Sequence, residues 1–179
     1  MDNGLIPRRY AKALYKFALD KGETREIYDL SKRVIEAFKN NPDLQKVLAN
    51  PFIEDADKES LLMAAAGEDK NEIFKQFVDL ILSQKRVEYA YAMMLAYRDI
   101  YRKENHISQA RITTASALDE TRMNKLRKLV SEAFKESEIE FSEAVDPSLI
   151  GGFVIDVDSV RMDASLSNEL EQLRQTLLS

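Results

Sequence analysis

The sequence predicts a mostly α-helical protein, with an N-terminal six-helix bundle followed by a small C-terminal α/β unit. Two observations predict this class. Apolar residues recur at helical spacing through the first hundred residues, and only five glycines and four prolines interrupt the 179-residue chain. After residue 103 the pattern changes to alternating apolar and polar residues, which is typical of half-buried strands. We therefore expect two units, residues 1–105 and residues 106–179.

Six apolar stripes predict the six helices of the bundle. The first helix is expected to begin near Pro7 and to end at Gly22, while Asn41 and Pro42 suit the cap and first position of the third. The sixth is apolar on more than one face, so it is either a central helix or a surface for a partner. In chain order the stripes are Tyr10, Ala13, Leu14, Phe17 and Ala18; Ile27, Leu30, Val34, Ala37 and Phe38; Leu44, Val47 and Leu48; the run DKESLLMAAA; Ile73, Phe77, Leu80 and Ile81; and Ala90, Met94, Tyr97 and Tyr101.

Strands and helices alternate in the C-terminal unit. The segment QARITTA predicts a first strand, EIEF a short second strand, and GFVIDV a longer third strand that pairs with VRMD across a turn at Asp158 and Ser159. Two helical stripes complete the unit. They are Met123, Leu126, Val130 and Phe134 after the first strand, and Leu166, Leu170, Leu173 and Leu177 at the end of the chain.

Composition and charge exclude several classes of function. There is no cysteine, so disulfides, thiolate metal sites and a cysteine nucleophile are ruled out. The net charge of −5 and a pI near 5.1 argue against nucleic-acid binding. Residues 1–105 hold 18 acidic and 18 basic side chains, whereas residues 106–179 hold 13 acidic and 8 basic, an asymmetry that predicts different partners for the two units. No apolar run approaches the length of a membrane span.

The sequence offers little that resembles a catalytic site. His106 is the only histidine, and we expect a surface or capping role for it. The cluster Asp156, Asp158 and Asp163 fits either a cation site or a turn, and turns favour aspartate for backbone reasons. Gly151 and Gly152 precede a strand rather than follow one, which excludes the usual phosphate loops. They fit a bend, a bulge or the close approach of a backbone or partner helix. No metal and no cofactor are expected.

Four segments, in order, resemble a known family. They are RRYAKALYKFA (8–18), NPFIEDADKESLL (50–62), the region 83–118, and VDPSLIGGFVIDVDSVRMDASLSNELEQLRQTL (145–177). Together they are similar to the delta subunit of F-type ATP synthase, which is equivalent to the mitochondrial oligomycin-sensitivity-conferring protein. One departure is at the hairpin, where the family commonly has a basic residue and a glycine and this chain has Asp156 and Asp158.

The resemblance implies a non-catalytic stator subunit of the peripheral stalk. In the family, the N-terminal bundle sits on the α3β3 head and takes up N-terminal helices of α subunits, and the C-terminal part meets the C-terminal end of the b-type stalk. These contacts hold the head against the torque of the rotor. The implied location is the cytoplasmic face of the bacterial inner membrane, with membrane association only through the complex.

The family's binding regions can be carried onto this sequence. A groove between the first and fifth helices implies α-subunit contacts at Tyr10, Ala13, Leu14, Phe17, Phe77, Leu80 and Ile81. Contact with the stalk, or support for it, is implied for Gly151, Gly152, Leu166, Leu170, Leu173 and Leu177. The residue patterns alone leave three alternatives open. The apolar stripes face only the core, or they belong to an adaptor for helices unrelated to ATP synthase. In the third alternative, the protein is an enzyme that uses the aspartate cluster with a divalent cation.

Overall fold

The computed structural model describes residues 4–67, 71–134 and 138–178, and the side chains of Leu177 and Leu178 lie outside that description. Within these ranges the chain is mostly helical, as the sequence predicts, and its four strands form one sheet. The chain divides into two compact units, Met1–Glu104 and Asn105–Ser179.

The described part of the first unit is built from α-helices with short connections. A single 3-10 turn at Val87–Tyr89 precedes the last of them. The helices are α1 (Leu5–Lys21), α2 (Thr24–Asn40), α3 (Asp43–Ala49), α4 (Asp55–Ala65), α5 (Glu72–Ser83) and α6 (Ala90–Glu104).

Local chemistry explains where these helices end. Gly22 adopts the left-handed conformation at φ 76° and its N–H donates to the last carbonyls of α1, as expected for a glycine stop. The prediction that Asn41 caps the start of α3 is wrong. Its side-chain amide instead donates to the Ala37 carbonyl at 3.0 Å, so Asn41 closes the end of α2, whose free carbonyls need donors. Pro42, at φ −60°, then leads into α3.

Helix α6 is the central helix of the first unit, because it packs against both α1 and α2. Tyr97 is fully buried, its hydroxyl donates to the Thr24 carbonyl at 3.0 Å, and its burial raises its pKa well above the ordinary range. Tyr101 stacks on Tyr28 with ring centroids 4.1 Å apart. The stripe of α6 that carries Tyr97 and Tyr101 therefore serves the core of this unit.

The second unit is a four-stranded mixed sheet with two helices. Its strands are β1 (Ile107–Thr114), β2 (Glu138–Val145), β3 (Gly152–Val157) and β4 (Val160–Ser165), and its helices are α7 (Glu120–Ala133) and α8 (Leu166–Leu178). The strand order is β2-β1-β3-β4; β1 and β2 are parallel, and the other pairs are antiparallel. The second strand has eight residues instead of the predicted four. Its more polar second half also pairs with β1, so the ladder continues over the whole length of β1.

One face of this sheet packs on α7. In β1 and β3, the paired residues Ile112 and Ile155 are buried, as are Ala110 and Val157. The predicted stripe of α7 covers them, with Met123, Leu126 and Val130 buried and Phe134 partly buried. The alternation in QARITTA therefore identified the core face correctly.

Candidate partner-binding surfaces

An apolar groove runs between α1 and α5 in the first unit. It has a volume of about 320 Å³. Six of the seven residues that the family resemblance implies for α-subunit contacts line it. The lining residues are Tyr10, Ala13, Leu14, Phe17, Ile73, Gln76, Phe77 and Leu80.

This groove has a buried apolar floor and an exposed apolar rim. Leu14, Ile73 and Phe77 are buried, whereas Phe17 is 38% exposed and Leu80 is 45% exposed. Ala13 is exposed beside them, and its single methyl group leaves room for a close approach. An exposed, concave apolar strip of this kind is suited to an amphipathic helix.

Ile81 does not belong to the groove. Its side chain is only 1% exposed. Successive residues of a helix are rotated by about 100°, so Ile81 faces the core while Leu80 faces outwards. Two lining residues were missed by the sequence reasoning. Ile73 shares a stripe with Phe77, so its spacing could have identified it, whereas the polar Gln76 gave no such signal.

The two adjacent glycines lie where the chain before β3 meets the start of α8. A Cβ atom on Gly151 would lie only 2.6 Å from the Leu166 δ-methyl, so that side chain would have to move. A Cβ atom on Gly152 would overlap the Ala164 carbonyl oxygen of the neighbouring strand. Gly152 also has φ +75°, which favours glycine. Of the alternatives that the sequence left open, Gly152 fits the close approach of a neighbouring backbone, and Gly151 makes room for a side chain.

Helix α8 presents a row of leucines to solvent. Leu166, Leu170 and Leu173 are all exposed, the last at 60%, and α8 contacts the edge strand β4. Leu177 lies in the helix, but its side chain is outside the described part of the chain. Ser165 anchors the helix start, since its hydroxyl accepts a hydrogen bond from the Asn168 N–H at 3.2 Å. Leu166 lies against Gly151, whereas Leu170 and Leu173 form an exposed apolar surface in the described part of this helix.

A second apolar surface of the same unit was not expected. Leu129 of α7 and Val160 and Met162 of β4 are exposed around a groove of about 280 Å³. The cause is geometric: β4 is an edge strand, and its core-facing side chains extend beyond the width that α7 covers. The alternation in VRMDA contains the signal, but the sequence does not reveal that β4 lies at the edge.

The aspartate cluster has structural contacts instead of a catalytic arrangement. Asp158 lies in the β3–β4 turn and accepts a hydrogen bond from the Gln109 N–H at 3.0 Å. Asp163 accepts from the N–H and the hydroxyl of Ser165, which lowers the pKa of its carboxyl below the ordinary value. Arg161 lies within 4 Å of both Asp156 and Asp163. In the described residues no group of three or more histidine, aspartate or glutamate side chains is arranged to hold a metal ion.

Comparison with known proteins decides the family. A family model of the ATP synthase delta (OSCP) subunit matches residues 6–177. The chain belongs to this family. Among delta-subunit relatives, the ATP synthase subunit delta of Phocaeicola vulgatus is 35% identical over 177 residues, covering 98% of this chain and 95% of the relative. That of Parabacteroides distasonis is 38% identical over 182 residues, covering 99% and 98%.

The fold of this delta-family chain also has a counterpart among solved structures. A chain in a cryo-EM structure of the Toxoplasma gondii mitochondrial ATP synthase hexamer matches with a TM-score of 0.71 and 18% identity, covering 97% of both chains. The family assignment confirms the resemblance seen in the four sequence segments. It makes the protein a non-catalytic stator subunit of an F-type ATP synthase. Over the residues that the structure describes, no helix has the length and apolar character needed to cross a membrane.

Proposed function

We propose that this delta-family chain holds the catalytic head to the peripheral stalk through two separate surfaces. The first unit acts as a six-helix bundle whose α1–α5 groove takes up an N-terminal helix of an α subunit. The second unit binds the C-terminal end of the b-type stalk. The observation that carries the proposal is the open apolar groove between α1 and α5, formed by the residues that the family resemblance implies.

Geometry supports a helix as the occupant of the groove. The α1 side contributes Tyr10, Ala13, Leu14 and Phe17, which repeat at helical spacing over two turns. An amphipathic helix places its own anchors at i, i+3, i+4 and i+7, so it matches such a strip turn by turn. Burial of the exposed parts of Phe17 and Leu80 would then provide a favourable hydrophobic contribution to binding.

The second unit supports stalk binding through its apolar surface and its charge. The leucines of α8 and the groove formed by Leu129, Val160 and Met162 are both exposed. The acidic excess of residues 106–179 complements a basic partner, which would speed association more than it would strengthen binding. We place the subunit at the cytoplasmic face of the bacterial inner membrane, attached through the complex.

The first experiment is a calorimetric titration of the full chain with a synthetic peptide of the α subunit's N-terminal segment. We expect saturable one-to-one binding, and Ala13→Asp should weaken it at least tenfold. The reason is that a carboxylate in this apolar groove would lose its hydration when the peptide binds. A tenfold change corresponds to about 1.4 kcal/mol of binding free energy.

Ala56→Asp is the matched control. It places the same carboxylate at an exposed alanine in the first turn of α4, where a negative charge is compatible with the helix dipole. This variant should bind the peptide like the unmodified chain. Equal binding by both variants would remove Ala13 from the interface, and no binding by the folded unmodified chain would contradict the proposed groove.

A further inference from the structure

Helix α1 forms a second groove, with α6, on its other side. The groove has a volume of about 600 Å³. Because each residue turns a helix by about 100°, the α1 residues that line it point roughly opposite to Tyr10, Ala13 and Phe17. The lining residues are Arg8, Lys12, Tyr15, Lys16 and Leu19 from α1, and Ala96, Asp99, Ile100, Lys103 and Glu104 from α6. We call it the basic groove.

Cations dominate the rim of the basic groove. Arg8, Lys12 and Lys16 follow one another at four-residue steps and form a single row, with Lys103 on the α6 wall. Among the residues that the structure describes, none of these four is in an ion pair. The lining also has two acidic residues, Asp99, which lies 3.3 Å from Arg98, and Glu104, so four cations face two carboxylates. Residues 1–105 balance to zero charge, so this positive excess is local to the groove.

The floor of the basic groove is apolar. Leu19 is largely exposed at the end of α1, and Tyr15 and Ile100 are half-buried beside it. A small anion would be held by the rim cations and would leave Leu19 uncovered. An occupant that uses the whole groove needs acidic groups at its edges and apolar groups along its centre. The distance from Arg8 to Leu19 corresponds to roughly 16 Å along α1, about three helical turns.

We propose that the basic groove is a second helix-binding site, whose occupant is an acidic amphipathic helix of a partner protein. Its apolar side chains pack on Tyr15, Leu19 and Ile100, and its carboxylates meet the lysine and arginine row. Binding at this site does not depend on the α-subunit helix proposed for the α1–α5 groove. The two grooves use different faces of α1, so both partners bind at the same time.

The probe is a synthetic 18-residue helical peptide with leucines along one face and glutamates on both flanks. Its twin carries lysine at every glutamate position. In NMR titrations of the full chain, we expect the acidic peptide to shift the backbone signals of Leu19, Ile100 and Lys103, and the lysine twin to leave them unchanged. Binding should weaken as salt rises, because the rim charges are exposed and are screened.

The double variant Lys12→Glu/Lys16→Glu should weaken binding of the acidic peptide at least tenfold. Lys46→Glu/Lys75→Glu makes the same change in net charge at exposed lysines outside the groove and should bind like the unmodified chain. Equal affinity of both double variants would overturn the proposal, as would equal binding of the lysine twin. Displacement by the α-subunit peptide, or shifts at Tyr10 and Phe77 instead of Leu19, would place the acidic peptide in the α1–α5 groove and also overturn it.

Discussion

At the scale of single residues, the two adjacent glycines have different steric requirements. Gly151 faces the end of the Leu166 side chain, which can change rotamer. Gly152 faces the backbone of Ala164 in the paired strand β4, and it has a positive φ. Its backbone can move only if the pairing between β3 and β4 changes.

We therefore predict that Gly152→Ala destabilises the second unit more than Gly151→Ala does. The Gly152 change should lower the free energy of unfolding by about 1–3 kcal/mol, as is usual for a side chain forced into a strained backbone conformation. The measurement is urea unfolding followed by circular dichroism. Gly4→Ala is the control, since nothing lies within 4 Å of a Cβ atom there. Equal stability of the Gly151 and Gly152 variants would contradict the assignment.

The sequence indicated that this glycine pair is architectural, but it could not divide the roles. The absence of a phosphate-loop pattern and the position before a strand were sufficient to favour an architectural role over phosphate binding, but they left a bend, a bulge and close approach open. Which glycine meets a side chain and which meets a backbone depends on the register of β3 with β4 and on the path into α8. Those contacts join residues more than ten positions apart, and no local pattern in the chain specifies them.

Asp163 gives a prediction about pH. Hydrogen bonds from Ser165 lower the pKa of this carboxyl in the folded state, so its contribution to stability is complete above the unfolded-state pKa of about 4 and is lost as pH falls through the lower, folded value. Asp163→Asn should reduce the stability that the second unit loses between roughly pH 5 and pH 2, the range in which aspartates titrate. Thermal unfolding across this range measures the effect.

Asp79→Asn removes an exposed carboxylate in the first unit and is the control. It should leave the acid response of the second unit as it is in the unmodified chain. If the Asp163 variant also keeps the full acid response, the hydrogen bonds to Ser165 do not contribute through this titration.

At the scale of elements, the exposed leucines of α8 give the clearest test of stalk binding. Leu170→Glu should leave the subunit folded, because the side chain is exposed in the free chain. It should weaken binding of a peptide from the C-terminal end of the b-type stalk at least tenfold, since a buried glutamate in the interface would be desolvated. Gln172→Glu introduces the same charge at an exposed polar position of the same helix. If both variants bind equally, the leucine row is not the stalk-binding surface.

Sequence periodicity predicted the elements better than it predicted their exposed faces. The stripes of α1, α5 and α7 each identify one apolar side, and the core of the second unit follows the alternation in β1. Within the α5 stripe, however, Leu80 is exposed and Ile81 is buried. When an apolar stripe is wider than the surface that the core covers, the residues at its edge can be buried or exposed. The sequence pattern is the same in both cases. Periodicity alone therefore could not predict the groove, and the expectation of one came from the family resemblance.

At the scale of the whole molecule, the two units differ in how much apolar core they contain. Of the 33 buried apolar residues in the described ranges, 24 belong to the first unit and nine to the second. The second unit also exposes several large apolar side chains on α8, α7 and β4. Small domains bury a smaller fraction of their surface and are correspondingly less stable. The family was recognisable from the sequence because its signatures are spread along nearly the whole chain, whereas this imbalance depends on packing.

We predict that residues 1–105 form a folded domain on their own, and that residues 106–179 alone unfold at a lower temperature. The first fragment should show cooperative thermal unfolding, dispersed NMR signals and the same affinity for the α-subunit peptide as the full chain. The second fragment should gain stability when the stalk peptide is added, because a ligand that binds only the folded state shifts the unfolding equilibrium. A molten first fragment would mean that it needs the rest of the chain to complete its core. The proposal that the exposed apolar surfaces of the second unit bind the stalk would be contradicted if the second fragment were as stable as the first and were unaffected by the stalk peptide.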